Sequence, residues 1–429
     1  MSNDAVAPAP GATPAPRSAL DEPTRSPGLA WIAAVCLLNA GMMVALYTPI
    51  QVLLAQQSEA IAPDGKEILL ALTTASGALS ATVLNPVWGT LSDRTTARRG
   101  RRWPWILGGM ITAVGALLLL STAASVPMLI LGWVLVQAAV NAMLAPIVAA
   151  IPDLVPTGQR GLSGGLIAVS QTVGVAVAAG VPFLTDSVQL AYLVAAAALV
   201  LLSIPYLVRS LDVPLRVGEF AAARAARPAP HERSAAEALV RSDFRWAFVT
   251  RFLMMFGNAL MLLFLFYFLQ DGLGLGREAA EGGVFMLTAI YAGTTVVTAA
   301  AGGALSDRVG RRKPFVIGSG IVVALAFGII VVGNSFEATL VAAIVLGLGF
   351  GMYQAVDFAL ITQVLPEAGE RGRDMGVLNI AAGLPQFVAP LVSIAVISGF
   401  GVNYSLIFGL GGVVSLLGAV LVVRIRGVA

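Results

Sequence analysis

The chain has 429 residues, of which 58% are hydrophobic and only 11% charged. This composition lies far from that of a soluble domain and predicts an integral membrane protein. The net charge is only +3, and the Lys and Arg residues fall between apolar segments, which excludes a nucleic-acid-binding protein.

Few residue types that carry catalytic or metal chemistry occur. The single cysteine, Cys36, lies in an apolar run, so no intramolecular disulfide can form and a thiol metal site is not expected. The only histidine, His231, lies in a polar stretch. There is no Gly-rich loop of the ATP-binding kind and no enzyme constellation. We therefore expect no enzyme, no metal and no cofactor, with a proton or sodium gradient as the driving force.

The chain divides into apolar runs and polar connections. Residues 1–27 are rich in Pro, Ala and Ser and lack a signal-peptide run, which predicts a disordered tail. Twelve runs long enough to cross a bilayer as helices follow. They lie at about 29–55, 68–91, 103–123, 127–151, 162–183, 189–208, 246–270, 284–305, 315–333, 338–364, 375–397 and 403–424. The sequence thus predicts an all-α membrane protein with six-helix bundles at 28–208 and 246–429, joined by a linker at 209–245.

The basic residues predict the orientation. If the tails, the linker and the Arg-rich loops share one side, that side holds every Lys and Arg except Lys66 and Arg277. The positive-inside rule makes that side cytoplasmic. We expect a multi-pass protein of the cell (plasma or inner) membrane, with both termini cytoplasmic.

Two copies of one loop organise the sequence. Gly89-Thr-Leu-Ser-Asp-Arg94 is followed by Arg98-Arg-Gly-Arg-Arg102, and Gly303-Ala-Leu-Ser-Asp-Arg308 is followed by Arg311-Arg-Lys313. Each copy joins two apolar runs, so the chain is a duplication. A second pair of segments, Pro156 to Gly165 and Pro366 to Gly376, joins the fourth and fifth runs of each half.

The repeated loop resembles the signature of the major facilitator superfamily, found between helices 2 and 3 and between 8 and 9. The resemblance implies two pseudo-symmetric six-helix bundles that transport by alternating access. The residues expected to form a cytoplasmic gate are Gly89, Asp93, Arg94, Arg98, Arg101, Arg102, Gly303, Asp307, Arg308, Arg311 and Arg312. We expect Asp93 and Asp307 to hold the two halves together through arginines and a helix N-terminus across the interface, where a carboxylate is favoured.

Polar side chains within the apolar runs are costly in lipid, so they should face a cavity or a partner helix. Most lie in the first and fourth helix of each half, which line the cavity in the superfamily. The expected cavity residues are Asn39, Tyr47, Gln51, Gln137, Asn141, Gln171, Asn258, Tyr267, Tyr353, Gln354, Asn379 and Gln386. An interhelical hydrogen bond is the alternative for each Asn or Gln. We expect the glycines of Gly347-Leu-Gly-Phe-Gly351 to serve close helix packing.

Asp357 and Arg251 are the only acid and base well inside the apolar spans. Both fall at a similar depth below the predicted cytoplasmic surface, so they can pair within the second half. One interpretation is an ion-coupling or gating site. The other is a static salt bridge.

The stretch Arg98-Arg-Gly-Arg-Arg-Trp-Pro-Trp-Ile106 is similar to a turn of the sucrose and other glycoside symporters. In helix 4, Asn141 and Pro146 stand where those carriers have Arg and Asp. The leading hypothesis is a monomeric, cation-coupled symporter of a small organic solute, with sugars and glycosides as one class. The alternatives are a proton-coupled exporter of drugs or metabolites and a non-transporting membrane receptor or scaffold. The expected partners are the solute and the lipid bilayer.

Overall fold

The computed structural model describes residues 23–156, 159–212, 214, 215, 217, 242–309, 311–364 and 371–425. Side chains at 161, 242, 303, 304, 307, 358–364 and 371–379 lie outside that description. Within it, twelve helices are long and apolar enough to cross a membrane. The all-α, twelve-helix prediction is confirmed. Most of the predicted tail, most of the linker and the segment 365–370 fall outside the described residues.

The helices of the first half are α1 (Leu29–Ile61), α2 (Lys66–Asp93), α3 (Trp103–Ser121), α4 (Val126–Leu154), α5 (Arg160–Phe183) and α6 (Val188–Val208). Those of the second half are α7 (Ser242–Tyr267), α8 (Arg277–Val309), α9 (Lys313–Gly333), α10 (Phe336–Val364), α11 (Arg371–Phe400) and α12 (Tyr404–Leu421). Several extend beyond the predicted apolar runs, α8 at both ends. Apolarity marks only the part of a helix that lies in hydrocarbon, whereas backbone hydrogen bonding continues into the polar ends.

The two sets of six helices pack in the same pattern. In the first set α1 packs on α5 and α6, α4 on α2 and α3, and α3 on α6. In the second set α7 packs on α11 and α12, α10 on α8 and α9, and α9 on α12. The sets meet through α2 with α11 and through α5 with α8. The duplication therefore extends from the loops to the tertiary structure.

The first helix of each set contains a π-helical turn near the same end. In α1 this turn spans Pro49–Leu53, and α7 continues into a π turn at Phe268–Gly272. Pro49 has no N–H to donate, so it interrupts the regular hydrogen-bond ladder of α1. We call the end of the bundle at which α2 and α8 end the loop face, and the other end the distal face. Both π turns lie toward the distal face.

Close packing of small residues joins α10 to its neighbours. A Cβ at Gly347 would lie 2.8 Å from the carbonyl oxygen of Tyr291 in α8, and one at Gly349 would lie 3.0 Å from that of Ser319 in α9. Neither helix could approach α10 so closely if these residues carried side chains. The packing role predicted for Gly347 to Gly351 is confirmed.

Candidate solute pathway and its two gates

Ion pairs and amide contacts join the two halves at the distal face. The Nζ atom of Lys66, at the start of α2, lies 2.8 Å from Oδ2 of Asp271 in the second half and 2.7 Å from Oε1 of Glu59. The side-chain amide of Gln270 donates to both oxygens of Glu59, at 3.0 and 3.1 Å. Only 13% of the Lys66 side chain is exposed, so these contacts are better shielded than surface pairs.

Two tyrosines of the second half add hydrogen bonds at the same face. Tyr404, at the start of α12, donates to Oε1 of Glu67 at 3.1 Å. Tyr267 donates to the carbonyl oxygen of Ala55 at 2.6 Å, and Lys66 lies 4.9 Å above its ring centroid. Tyr267 was predicted to line the solute cavity. The structure places its hydroxyl in the distal contacts instead, because Tyr267 is the last residue of α7 and so lies at that end of the bundle.

The contact between α5 and α8 closes the distal face further. The rings of Phe183 and Phe285 stack with centroids 6.0 Å apart. The side-chain amide of Gln56 in α1 donates to Glu281 in α8, which also pairs with Arg277 at 3.3 Å. Lys66 and Arg277, the two cations predicted on this side, therefore both lie in ion pairs at the distal face.

Two helices that border the half interface, α2 and α5, become more exposed toward the loop face. In α2 the buried residues lie between Glu67 and Ala78, and beyond them only Ser92 is buried. Val83 is 57% exposed and Leu91 is 41% exposed, although α2 borders the other half. In α5, Leu162 is 68% exposed, whereas residues 178–182 near the distal end are buried. Among the described residues, the contacts between the halves thus lie toward the distal face, and α2 and α5 are more exposed toward the loop face.

The first signature loop forms an ion-pair cluster at the loop face. Nη1 of Arg102 lies 2.6 Å from Oδ1 of Asp93, and its Nη2 lies 3.0 Å from Oδ2 of Asp153 at the end of α4. Arg101 pairs with Oδ1 of Asp153 at 2.6 Å. Ser92 accepts a further hydrogen bond from Arg102 at 2.6 Å. Asp93 therefore pairs within its own half in this open arrangement, and the cross-half contact expected of it stays a prediction for a closed loop face.

A carboxylate does occupy a helix N-terminus here, but it belongs to the start of the linker. Asp212 accepts hydrogen bonds from the backbone N–H groups of Arg102 and Trp103, where α3 begins. Burial raises the pKa of the Asp212 carboxyl above its ordinary value, and those two N–H groups oppose the shift. Gly100 adopts φ 104° and leaves the space that Asp212 fills.

The other predicted gate residues make fewer contacts among the described residues than Arg101 and Arg102 do. Arg94, Arg98, Arg308 and Arg311 are exposed, and no atom outside the local backbone comes near a Cβ placed on Gly89. Arg312 donates to Ser306 at 2.9 Å, in the manner of Arg102 with Ser92. The surroundings of Gly303 and the side chain of Asp307 lie outside the described part of the chain.

Three predicted cavity residues of the first half bond to neighbouring helices. Asn39 donates to Ser170 at 3.0 Å, and Gln51 donates to the carbonyl oxygen of Val175 at 3.4 Å, so both tie α1 to α5. Asn141 accepts from Asn85 of α2 at 2.9 Å. For these residues the structure favours interhelical hydrogen bonding, the alternative that their sequence context left open.

The remaining cavity candidates differ in exposure. Tyr47, Gln137 and Gln171 are half-buried, and Gln354 and Gln386 are exposed. Asn258 is buried and accepts a hydrogen bond from Tyr291 of α8 at 3.2 Å. The side chain of Asn379 lies outside the described residues. Polar groups exposed on membrane helices are favoured only where they meet water or solute, so Gln354 and Gln386 remain the better candidates.

Arg251 and Asp357 form the predicted pair. Nη1 of Arg251 in α7 lies 3.1 Å from Oδ2 of Asp357 in α10. Tyr353, one turn earlier in α10, donates to Oδ1 of Asp357 at 3.0 Å. Asp357 is 8% exposed and Tyr353 is 1% exposed. The prediction of the pair is confirmed, and Tyr353 is a third member whose role as a hydrogen-bond donor the sequence did not show.

Comparison with known proteins agrees with this architecture. The family model described as Major Facilitator Superfamily matches residues 29–290 and 279–428. The chain belongs to the major facilitator superfamily. It is therefore a multi-pass membrane transporter of a small solute and not an enzyme.

Solved structures of two transporters share the fold. The structure of the nucleoside transporter NupG matches with a TM-score of 0.72 at 13% identity, covering 92% of this chain and 100% of that one. The peptide transporter POT in complex with sulfate matches with a TM-score of 0.72 at 14% identity, covering 95% of this chain and 96% of that one. No curated protein matches the sequence.

Sequence reasoning missed several residues of the two gates in this superfamily member. Asp153 and Asp212 were not singled out, although each lies at or just beyond a helix end on the Arg-rich side. Glu59 and Asp271 were not considered either. Their signal was available, because they are acids close to the ends of apolar runs, on the side that holds Lys66.

Proposed function

We propose that the protein is a cation-coupled secondary active transporter that moves a small polar organic solute across the cell membrane by alternating access. The observation that carries the proposal is the asymmetry of the central space. The cross-half ion pairs and hydrogen bonds among the described residues lie at the distal face, and the helices of the half interface are exposed at the loop face.

The positive-inside rule supports a cytoplasmic loop face, with both termini cytoplasmic and the solute site open inward in this arrangement. Shared fold with a nucleoside transporter and a peptide transporter agrees with a polar organic solute. The loop around Arg98 favours a sugar or glycoside symporter within the superfamily. Asn141, which bonds to Asn85, stands where those symporters have Arg, so the solute contacts would differ from theirs.

Transport in proteoliposomes tests this function directly. Purified protein is reconstituted, and labelled sugars, nucleosides and small metabolites are offered under an imposed proton gradient, sodium gradient or neither. We expect gradient-driven accumulation of at least one solute. Gradient-driven efflux alone would favour the exporter, and absence of any solute movement would favour a receptor or scaffold.

Asp357 is the residue we assign to coupling, with Arg251 as its partner. Asp357→Asn keeps the shape of the side chain and one acceptor oxygen but removes the charge, so we expect the variant to fold. It should still exchange solute between equal pools yet lose gradient-driven accumulation. The double variant Arg251→Gln with Asp357→Asn separates this role from a static salt bridge. A structural pair predicts that the double variant recovers accumulation, whereas a coupling site predicts that it does not.

A further inference from the structure

Arg251, inside the second half, has an N–H group that donates no hydrogen bond to the described residues. A guanidinium carries several N–H groups in a planar fork. Nη1 bonds to Asp357, whereas Nε is buried and has no hydrogen-bond partner. Buried N–H groups are nearly always paired, so an unpaired one calls for an explanation. Nε is buried in this arrangement while 15% of the whole side chain is exposed, so an acceptor reaches Nε only when the helices around Arg251 move apart during the transport cycle.

Both carboxylate oxygens of Asp357, in contrast, have partners within the protein. Its Oδ1 accepts a hydrogen bond from Tyr353, its Oδ2 forms the ion pair with Arg251, and the residue is 8% exposed. The carboxylate is satisfied within the protein, while the guanidinium retains donor capacity. The group that Arg251 lacks is therefore a hydrogen-bond acceptor. An anionic acceptor interacts most strongly with a cation in a low-dielectric environment.

The position of Arg251 in the fold suits a solute contact. Thr250 and Gly257 face α12. A Cβ placed on Gly418 of α12 would contact the backbone of Thr250, and a Cβ placed on Gly257 would contact α12. Arg251 points instead toward α10, where Gln354 is exposed one turn from Asp357. The guanidinium of Arg251 and the exposed amide of Gln354 thus lie on the same side of α10.

We propose that Arg251 recognises a carboxylate group of the transported solute. The planar edge formed by Nε and a terminal nitrogen matches the two oxygens of a carboxylate. Asp357 holds one side of the guanidinium and so presents the other side to the solute. This assignment rests on the proposed function, and it restricts the transported solute to an organic acid. A sugar acid is consistent both with the carboxylate assignment and with the resemblance of the loop around Arg98 to that of glycoside symporters.

The test compares acids with neutral partners of similar size. The thermal unfolding midpoint of the full chain in detergent is measured with glucuronate or glucose, and with benzoate or benzamide. We expect at least one acid to raise the midpoint of the wild type more than its neutral partner does. Arg251→Lys keeps the charge but loses the planar edge, so its apparent affinity for that acid should fall at least about tenfold.

A further variant serves as the control. Arg424→Lys makes the same change at an exposed arginine near the end of α12, 5.7 Å from the Trp246 ring, and should leave the acid effect unchanged. Equal acid binding by wild type and Arg251→Lys would overturn the assignment, and so would stabilisation by neutral members or inorganic phosphate with none by either acid.

The same acids separate this inference from the proposed function. Labelled acid and neutral partner are offered to proteoliposomes that contain the wild type. Movement of a neutral sugar without its acid leaves the transporter standing and overturns the carboxylate assignment. Acid binding that depends on Arg251, without movement of any solute under any gradient, leaves the site standing and contradicts transport.

Discussion

Gly100 is the residue on which the shape of the first signature loop depends. Its φ of 104° lies in the region that favours glycine, and the Asp212 carboxyl occupies the space a side chain would need. Through that contact the start of the linker is fixed to the N-terminus of α3. The same turn places Arg101 and Arg102 against Asp153.

Gly100→Ala should therefore destabilise the protein by at least about 1 to 3 kcal/mol from backbone strain, with the displacement of Asp212 in addition. Gly108→Ala in α3 is the matched control, because nothing lies within 4 Å of a Cβ placed there. It should be neutral or slightly stabilising, since Ala favours helix. Thermal unfolding in detergent compares the two. Equal midpoints for both variants would contradict the role given to Gly100.

At the same scale the sequence predicted some contacts and left others undecided. Arg251 and Asp357 could be paired because helix rise alone sets their depth. Asn39 and Asn141 could not be assigned, because an amide in a membrane helix serves packing or solute equally well until the neighbouring helix is placed. Their partners, Ser170 and Asn85, belong to α5 and α2.

Among the elements, the α8 and α10 pair is held by the closest approach of small residues. A Cβ at Gly351 would overlap the carbonyl oxygen of Thr295 and lie 2.9 Å from its Cα. Thr298 donates to the carbonyl oxygen of Gly347 at 3.1 Å, which joins the two helices at the same place. Helices that are separated in lipid are already in an apolar environment, so the hydrophobic effect contributes little to their association. Close packing of this kind therefore contributes much of the free energy of helix association.

Gly351→Ala should separate α8 from α10 and cost about 1 to 3 kcal/mol through overpacking. Gly293→Ala in α8 adds the same methyl group where nothing lies within 4 Å, so it should have little effect. Unfolding midpoints and solute-exchange rates measured for both variants check this. A loss in Gly293→Ala as large as that in Gly351→Ala would show that the glycine contact is not the cause.

The whole-molecule architecture could be predicted because a duplicated loop and twelve apolar runs constrain it strongly. The sequence could not predict which face of the molecule is open and which is closed. Which face is closed depends on pairs such as Lys66 with Asp271, whose members lie in different halves and approach only through tertiary packing. The predicted apolar run at about 29–55 also stopped short of the end of α1 at Ile61, and that end carries Glu59 of the distal contacts.

The central claim is that the distal face is closed by breakable polar contacts while the loop face is open. Lys66 is the cation between Glu59 and Asp271. Lys66→Met removes it and leaves two carboxylates close together without that cation, which destabilises the closed distal face. We expect the population to shift toward a state open at the distal face and closed at the loop face.

Spin-label distances in lipid measure this shift most directly. In a Cys36→Ser background, one pair of labels at Asp64→Cys and Glu278→Cys spans the distal face, and another at Thr96→Cys and Val309→Cys spans the loop face; all four positions are exposed. On adding Lys66→Met, the distal distances should lengthen and the loop-face distances should shorten. Distances that stay unchanged in both pairs, or that change in the same direction, would contradict the account.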